Sequence, residues 1–290
     1  MENLAVDEAV SRLIDAALAE DIGTGDLTSK YFISADRQVR GFIMAREDGC
    51  LSGVEVAQEV FRRVDPEIDV QLMVADGSRV GKGAHVIAVE GPARGVLTAE
   101  RTALNFLQRL SGVATATRRF VDAVRDTSVR ILDTRKTTPG WRLLEKQAVV
   151  HGGGTNHRMG LYDRVMVKDN HLVAEHDAEA LQAAIRLLKE EHPGVEVELE
   201  ADRLDQVRTF LGFVGVDYIL LDNMSLAELR EAVEMRGERM TPRLEASGGV
   251  NLTTVKGIAG TGVDFVSVGA ITHSAVALDL ALDFVPLGNE

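Results

Sequence analysis

Among its 290 residues the sequence has a single cysteine, Cys50. One thiol excludes an intrachain disulfide and a four-cysteine zinc site, and suits a reducing compartment. No apolar run approaches the roughly 18 to 20 residues that a membrane-spanning helix needs. The opening MENLAVDEAVSRLIDAALAED is acidic and amphipathic, unlike a basic secretory signal. A cytoplasmic location is expected. Positive charge is also scarce, with 32 Lys and Arg against 45 Asp and Glu for a net charge of −13. Such a surface attracts neither nucleic acid nor an anionic membrane.

That deficit is uneven. Residues 130–171 hold eight Lys and Arg and four Asp and Glu, so this window is +4 while the remainder is −17. Within it, DTRKTTPGWR at 133–142 has Arg135, Lys136 and Arg142 against one acid. A local cluster of cations in an acidic chain points to a small anion held in a pocket. With 45% hydrophobic residues the chain can bury a full core, as one large domain or two unequal ones.

The first segment reads as a helix from Leu4 through Val10, Ile14 and Leu18, closed by the turn cluster EDIGTGDLTS. Short strands follow at QVRGFIMAR, IDVQLMV and AHVIAVEG, then a long helical stretch from Thr98. After Asp126 apolar runs alternate with helical segments: ILD at 131, VMV at 165, VEVEL at 195, YILL at 218, RLEA at 243 and FVSV at 265. One intervening helix opens with a capping box, Ser225 and Glu228. Strands and helices at this spacing indicate parallel βα units. The runs end in DTRK, KDN, ELE, LDN, SGG and VGA. Polar, charged or glycine residues at every strand end favour a barrel, whose C-terminal face gathers such residues around one pocket.

The last two strand ends, SGGVN and VGAITHS, offer glycine-rich backbone leading into helices, which suits a phosphate. Glu198 and Asp222 are acids at neighbouring strand ends, able to accept from sugar hydroxyls or to hold Mg²⁺ through water. Glu196, Glu198 and Glu200 alternate and so share one strand face. Lys136 and Lys168 are natural compensating cations. Arg135, Arg158 and Lys168 suit a ligand with two carboxylates, because a guanidinium matches carboxylate geometry. His157, in GGGTNHR, is brought close by the glycine loop.

The ordered motifs EDIGTGDLTS, TAERTALNFLQRLSG, DTRKTTPGWR, GGGTNHRMGLYDRVMVKDNH, LLDNM, EASGGV and VGAITHS span nearly the whole chain. In this they resemble the quinolinate phosphoribosyltransferase family. The resemblance implies an α/β fold: an N-terminal α/β sandwich domain over 1–110, joined by a C-terminal helix at 274–290, and an open (β/α) barrel of the type II phosphoribosyltransferases over 111–273. It implies phosphoribosyl transfer from phosphoribosyl pyrophosphate (PRPP) to quinolinate with decarboxylation, in de novo NAD synthesis. It also implies Mg²⁺ and a homodimer with shared active sites. By position, Arg135, His157, Arg158 and Lys168 would hold the two carboxylates, with Arg101 reaching in from the other subunit. Thr134 and Lys136 would join that pocket, Lys136 facing PRPP. Glu198 and Asp222 would bind ribose hydroxyls and Mg²⁺. Ser247, Gly248 and Gly249, with Val268, Gly269 and Ala270, would cradle the 5′-phosphate. Val150 departs from the pattern, since many relatives carry a basic residue there.

Three other readings compete. A related phosphoribosyltransferase acting on nicotinate, or the family's paralogue linked to molybdenum transport, would need fewer cations than Arg101, Arg135, Arg158 and Lys168 supply. A barrel aldolase would form a Schiff base at Lys136 or Lys168. A metabolite-binding protein would need the anion pocket but not Glu198 and Asp222. For the favoured reading, Arg158→Ala is expected to weaken quinolinate binding more than turnover, and Glu198→Ala or Asp222→Ala to do the reverse. Steady-state kinetics with each substrate varied in turn separates the two effects.

Overall fold

The computed structural model describes residues 8–168 and 178–285. Leu4 and Val6 of the expected first helix, Asp169 and Asn170 of the KDN strand end, and residues 286–290 of the expected last helix lie outside them. The described chain forms two compact units. One comprises residues up to Arg118, Thr137–Gly153 and those from Ile271 onward; the other comprises Arg119–Lys136 and Gly154–Ala270. The boundary expected at 110/111 falls within a continuous helix, and residues 137–153 return to the first unit.

The chain opens with α1 (Glu8–Ile22), which buries Val10, Ile14 and Leu18 at four-residue spacing. Helix α2 (Leu27–Phe32) is capped by Asp26, whose carboxylate accepts from the Ser29 backbone N–H at 2.9 Å. Then come β1 (Gln38–Ala45), β2 (Gly49–Cys50), α3 (Val54–Val64), β3 (Asp69–Leu72), β4 (Arg79–Val80) and β5 (His85–Pro92). In β1, Gly41, Ile43 and Ala45 are buried alternately, as a sheet with one covered face requires. The 31-residue helix α4 (Ala93–Ala123) buries Val96, Ala99, Ala103, Leu107, Leu110 and Ala114 along one stripe. Gly112 on it has no room for a side chain: a Cβ would meet Ala277 Cα at 2.9 Å and the Val276 carbonyl closer still.

After α4 the elements are β6 (Arg130–Leu132), α5 (Arg142–His151), β7 (Arg164–Val167), α6 (Ala178–Glu191), β8 (Glu196–Ala201), α7 (Leu204–Phe210) and β9 (Tyr218–Asp222). They continue with α8 (Leu226–Arg236), β10 (Arg243–Ser247), α9 (Val255–Ala259), β11 (Phe265–Ser267) and α10 (Ala270–His273). Strands β6 to β11 form one parallel sheet in the order β6-β11-β10-β9-β8-β7. Sequence neighbours pair from β7 through β11, and β11 closes onto β6. Among the described residues β6 and β7 make no ladder, so the barrel is open between them, and Leu132 instead makes an isolated parallel bridge to Thr155 in the loop after α5. Strand interiors such as Val197, Leu199, Ile219, Leu221, Leu244 and Val266 are buried, as in parallel sheets covered on both faces. The Ser225 capping box of α8 is present in both directions.

The chain ends in β12 (Leu280–Val285), antiparallel to β1, which completes the sheet β12-β1-β5-β3 in the first unit. This corrects the expected helix at 274–290. The stretch AVALDLALDF has enough leucine and alanine for a helix, but Leu280 and Leu282 are buried while Ala281 and Asp283 are not, a period of two. The unpaired edge of β1 supplies partners for its backbone. The helix expected near Leu252 likewise begins later, at Val255, after a turn in which Asn251 Oδ1 accepts from Thr253 N at 2.9 Å. Among the described residues no helix is long and apolar enough to cross a membrane.

Leu280→Asp and Leu282→Asp should each destabilise the protein by about 2 kcal/mol or more, because each buries an unpaired carboxylate. Ala281→Asp should cost much less. Equal losses at all three in thermal unfolding would contradict the strand.

Candidate active site

The barrel's strand ends bring most of the candidate residues to one face of the second unit. β6 ends at Leu132 and is followed by Asp133 and then Thr134, Arg135 and Lys136. The loop after β6 is tied down locally, with Lys136 N–H donating to Thr134 Oγ1 at 3.1 Å. β7 delivers Lys168, and β9 ends in Asp222. Asp222 lies in register with Ser247 at the end of β10, and Ser267 of β11 with Leu132. Val268 continues that pairing, its N–H donating to Leu132 O at 2.9 Å. Thr134, Arg135, Arg158, Lys168, Asp222, Ser247, Gly248, Gly269 and Ala270 are half-buried, Lys136 and Gly249 are exposed, and Val268 is buried. Arg101 belongs to α4 of the first unit, where it is exposed.

Two glycines after β10 follow from backbone geometry. Gly248 has φ 95° and Gly249 φ 59°, both in the region that side chains disfavour. A Cβ on Gly248 would also strike Asn223, whose own φ of 54° turns the β9 loop and whose N–H donates to Ser247 O at 2.9 Å. The close approach of these two loops leaves bare backbone at the strand ends, a surface suited to a phosphate.

The cations on this face crowd one another. Arg158 sits below its ordinary pKa, first through burial and then through repulsion from Arg135. Its guanidinium is held from behind, Nη1 donating to Arg164 O at 3.2 Å and Nη2 to Met166 Sδ at 3.5 Å. Lys168 Nζ donates to Glu200 Oε2 at 2.9 Å. Two guanidiniums placed to repel each other store unfavourable energy that an anion between them would relieve.

Two sequence expectations change here. Glu198 is fully buried, and in register it lies opposite Tyr218 at the start of β9, whereas Glu200 lies opposite Leu220, one pleat nearer the mouth. Glu200, not Glu198, therefore shares the mouth with Lys168 and Asp222. Period-two alternation correctly gave the three glutamates one face; depth along the barrel is set by strand register, which alternation does not contain. His157 is also buried rather than open to the pocket. Its Nε2 lies 3.0 Å from Glu198 Oε2 and 3.4 Å from Glu245 Oε2, and its Nδ1 accepts the Arg158 backbone N–H at 2.7 Å. Glu245 accepts from Ser267 Oγ, and the His157 N–H donates to Asp133 Oδ1 at 2.8 Å. Asp133 and Glu245 escaped the sequence reading, since each sits in a motif, DTRK or EASGG, whose neighbours looked more functional.

The three buried groups lie close enough to shift one another's protonation. Burial pushes the His157 ring down, but its hydrogen bonds to Glu198 and Glu245 more than offset this and raise it from 6.5 to about 9. Burial, and then repulsion from Glu245, raises Glu198 from 4.5 to about 7. Burial also opposes ionisation of Glu245, but bonding to His157 and Ser267 outweighs it and holds that group below its ordinary value. The Nδ1 contact argues against a fully protonated ring, because Nδ1 must stay bare to accept the Arg158 N–H. The geometry therefore places the extra proton between Nε2 and the carboxylates, with Glu198 the better resting place. In either tautomer the trio is left with one negative charge, which Arg164, 3.7 Å from Glu198, offsets.

Known proteins bear on this arrangement directly. Residues 26–111 and 113–283 match the models of the quinolinate phosphoribosyl transferase N-terminal and C-terminal domains. The chain is 42% identical over 286 residues to the chloroplastic nicotinate-nucleotide pyrophosphorylase (carboxylating) of Arabidopsis thaliana, covering 93% of this chain and 81% of the plant protein. It is 40% identical over 286 residues to the "Probable nicotinate-nucleotide pyrophosphorylase (carboxylating)" of Bacillus subtilis strain 168, covering 97% and 95%. The solved nicotinate-nucleotide pyrophosphorylase of Francisella tularensis superposes with a TM-score of 0.88 at 38% identity, over 96% of each chain.

The trio's one extra proton, resting on Glu198, is bound more tightly in the folded protein than in the unfolded chain. The stability it contributes is complete at low pH and is lost as pH rises from 4.5 to about 7. This proton should accordingly add a fall in the thermal midpoint between pH 4.5 and 7, and Glu198→Gln should remove that contribution. An unchanged slope in the variant would locate the titrating group elsewhere.

Proposed function

The chain belongs to the quinolinate phosphoribosyltransferase family, and from that premise we propose how its own residues carry the reaction. It is a transferase of NAD biosynthesis: the phosphoribosyl group of PRPP passes to the ring nitrogen of quinolinate, and pyrophosphate and CO₂ leave. The depression of Arg158 by burial and the neighbouring Arg135, on the strand-end face that also carries Lys168, carries the assignment of a dicarboxylate pocket. In an acidic protein such crowding suits a ligand with two negative groups better than one with a single carboxylate.

In this reading Arg135, Arg158 and Lys168 hold the quinolinate carboxylates, with His157 setting the floor behind Arg158 and Thr134 lining the pocket. Arg101, exposed on α4, completes the pocket of a second copy in a homodimer. Ser247, Gly248 and Gly249, together with Val268, Gly269 and Ala270, receive the 5′-phosphate. Asp222 and Glu200, carboxylates on adjacent strands, fit a hard divalent cation and ribose hydroxyls. Bound Mg²⁺ would supply positive charge against the pyrophosphate. Lys136, exposed at the mouth, faces the same group. The buried single thiol, Cys50, and the acidic composition support a cytoplasmic enzyme.

The chemistry follows from charge placement. As the C1–O bond to pyrophosphate breaks, Lys136 offsets the negative charge leaving and the Asp222 and Glu200 side favours the cationic ribose carbon. The pyridine nitrogen donates its lone pair to C1 from the opposite face. That nitrogen becomes cationic, so when the bond from C2 to its carboxylate breaks, the electron pair left on C2 is stabilised beside it. CO₂ departs and C2 takes up a proton, with no separate base needed for the cleavage.

Incubation with PRPP, Mg²⁺ and either quinolinate or nicotinate should release pyrophosphate and CO₂ in equal amounts with quinolinate and neither with nicotinate. Pyrophosphate without CO₂, or turnover only with nicotinate, would move the protein to a sister activity. Glu200→Ala should lower kcat by about a hundredfold or more with little change in quinolinate affinity. Glu198→Ala should act chiefly on stability. The opposite ranking would restore Glu198 to the mouth.

A further inference from the structure

The reaction as described makes no use of Glu245. It lies in the middle of β10, fully buried, in register with Leu220 on one side and Phe265 on the other. A carboxylate there has lost its hydration and is retained only against specific partners. It is also electrostatically wrong for its place, because a negative charge beneath an anion pocket weakens the binding above it. Its geometry must supply something that a leucine at the same position would not.

The partners show what that is. Glu245 Oε1 accepts from Ser267 Oγ on β11, which fixes the carboxylate, and Oε2 lies 3.4 Å from His157 Nε2. Glu198 on β8 meets the same nitrogen at 3.0 Å. Across the ring, Nδ1 accepts the Arg158 backbone N–H at 2.7 Å, while the backbone N–H of His157 donates to Asp133, just after β6, at 2.8 Å. Residues 156–163, which include both His157 and Arg158, contain neither helix nor strand. The imidazole is therefore a peg for that loop, flanked by carboxylates from β8 and β10, while Asp133 holds the same residue's backbone.

We propose that Glu245, fixed by Ser267, is a positioning residue for the dicarboxylate site: it acts through the His157 ring on the Arg158 backbone and so sets where the Arg158 guanidinium meets its carboxylate. This rests on the reading that Arg158 binds quinolinate. Three roles for Glu245 separate cleanly. If only its charge mattered, Glu245→Gln would tighten quinolinate binding. If it merely filled the core, Glu245→Leu would be tolerated. A positioning role requires an acceptor oxygen, so Gln preserves function and Leu does not.

The test measures kcat, the KM of each substrate and the calorimetric Kd for quinolinate, using the full chain with PRPP and Mg²⁺. Glu245→Leu should raise the quinolinate KM and Kd about tenfold or more, the loss of one buried polar contact to the ring, while the PRPP KM stays within about twofold. Glu245→Gln should stay within about threefold of wild type for both substrates, and Ser267→Ala should fall between the two. A Leu variant that binds quinolinate like wild type, or one that raises both KM values equally, overturns the proposal, as does tighter binding by Gln. Should the Leu variant not fold, the same split read from Ser267→Ala decides: a selective rise in quinolinate KM supports the proposal, and no rise overturns it. A wild type that neither binds nor turns over quinolinate overturns the functional reading and this proposal with it. An active wild type with flat variants overturns the proposal alone.

Discussion

The site depends on holding like charges together. Arg135 lies close enough to Arg158 to disfavour its charge, and the two are held there in a chain of net charge −13. Left to themselves, such side chains would swing apart into solvent, since a guanidinium on a long stem loses little by moving. The fold prevents this by anchoring backbone rather than charge. The Arg158 N–H is bound by His157, His157 by two buried carboxylates and Asp133, and the guanidinium stem lies against Arg164 O and Met166. Repulsion is thus built into this face, and a dicarboxylate bound there, as proposed above, would turn it into attraction.

The first unit uses the same device on the chain segments that flank the site. Glu145 is fully buried and accepts from Thr138 N at 3.0 Å, Thr138 Oγ1 at 2.8 Å and Arg109 Nη2 at 2.7 Å. Arg109 donates onward to Thr272 O at 2.5 Å and Ala275 O at 2.8 Å. Thr138 is two residues beyond Lys136, and Thr272 is two beyond Ala270. One ion pair inside this unit therefore ties down the exits of the loop bearing Lys136 and of the loop after β11. A buried charge pair of this kind adds little net stability but fixes geometry, because breaking it strands a charge in the core.

The contrast between Glu198 and Glu200 shows where the second unit draws its functional line. Both side chains point the same way from β8, yet one is fully buried 3.0 Å from His157 Nε2, while the other meets Lys168 at the mouth. In a parallel barrel the chemistry belongs to the last residues of each strand, and a shift of one pleat, roughly 7 Å along the strand, moves a carboxylate from the ligand layer to the support layer. The support layer is where the trio has its use: Glu198 and Glu245 never reach the mouth, but they hold what does.

Much of this was legible in the residues themselves. The alternation of apolar runs and helical stretches after Asp126, the polar strand ends, the capping box at Ser225 and the island of positive charge at 130–171 are local patterns, and local patterns need only the chain's own periodicity. What the chain alone left open were quantities that depend on neighbours distant in sequence. AVALDLALDF became a strand because the edge of β1, some 240 residues earlier, offered it hydrogen bonds. Glu198 and Glu200 were separated by the register of β8 against β9, and His157 became a buried peg because Glu198 and Glu245 arrived at its ring and Asp133 at its backbone from distant segments. Composition and periodicity determined the kinds of element and the sign of the ligand. Depth, pairing and protonation were decided only by tertiary structure, since each is a property of the space between segments.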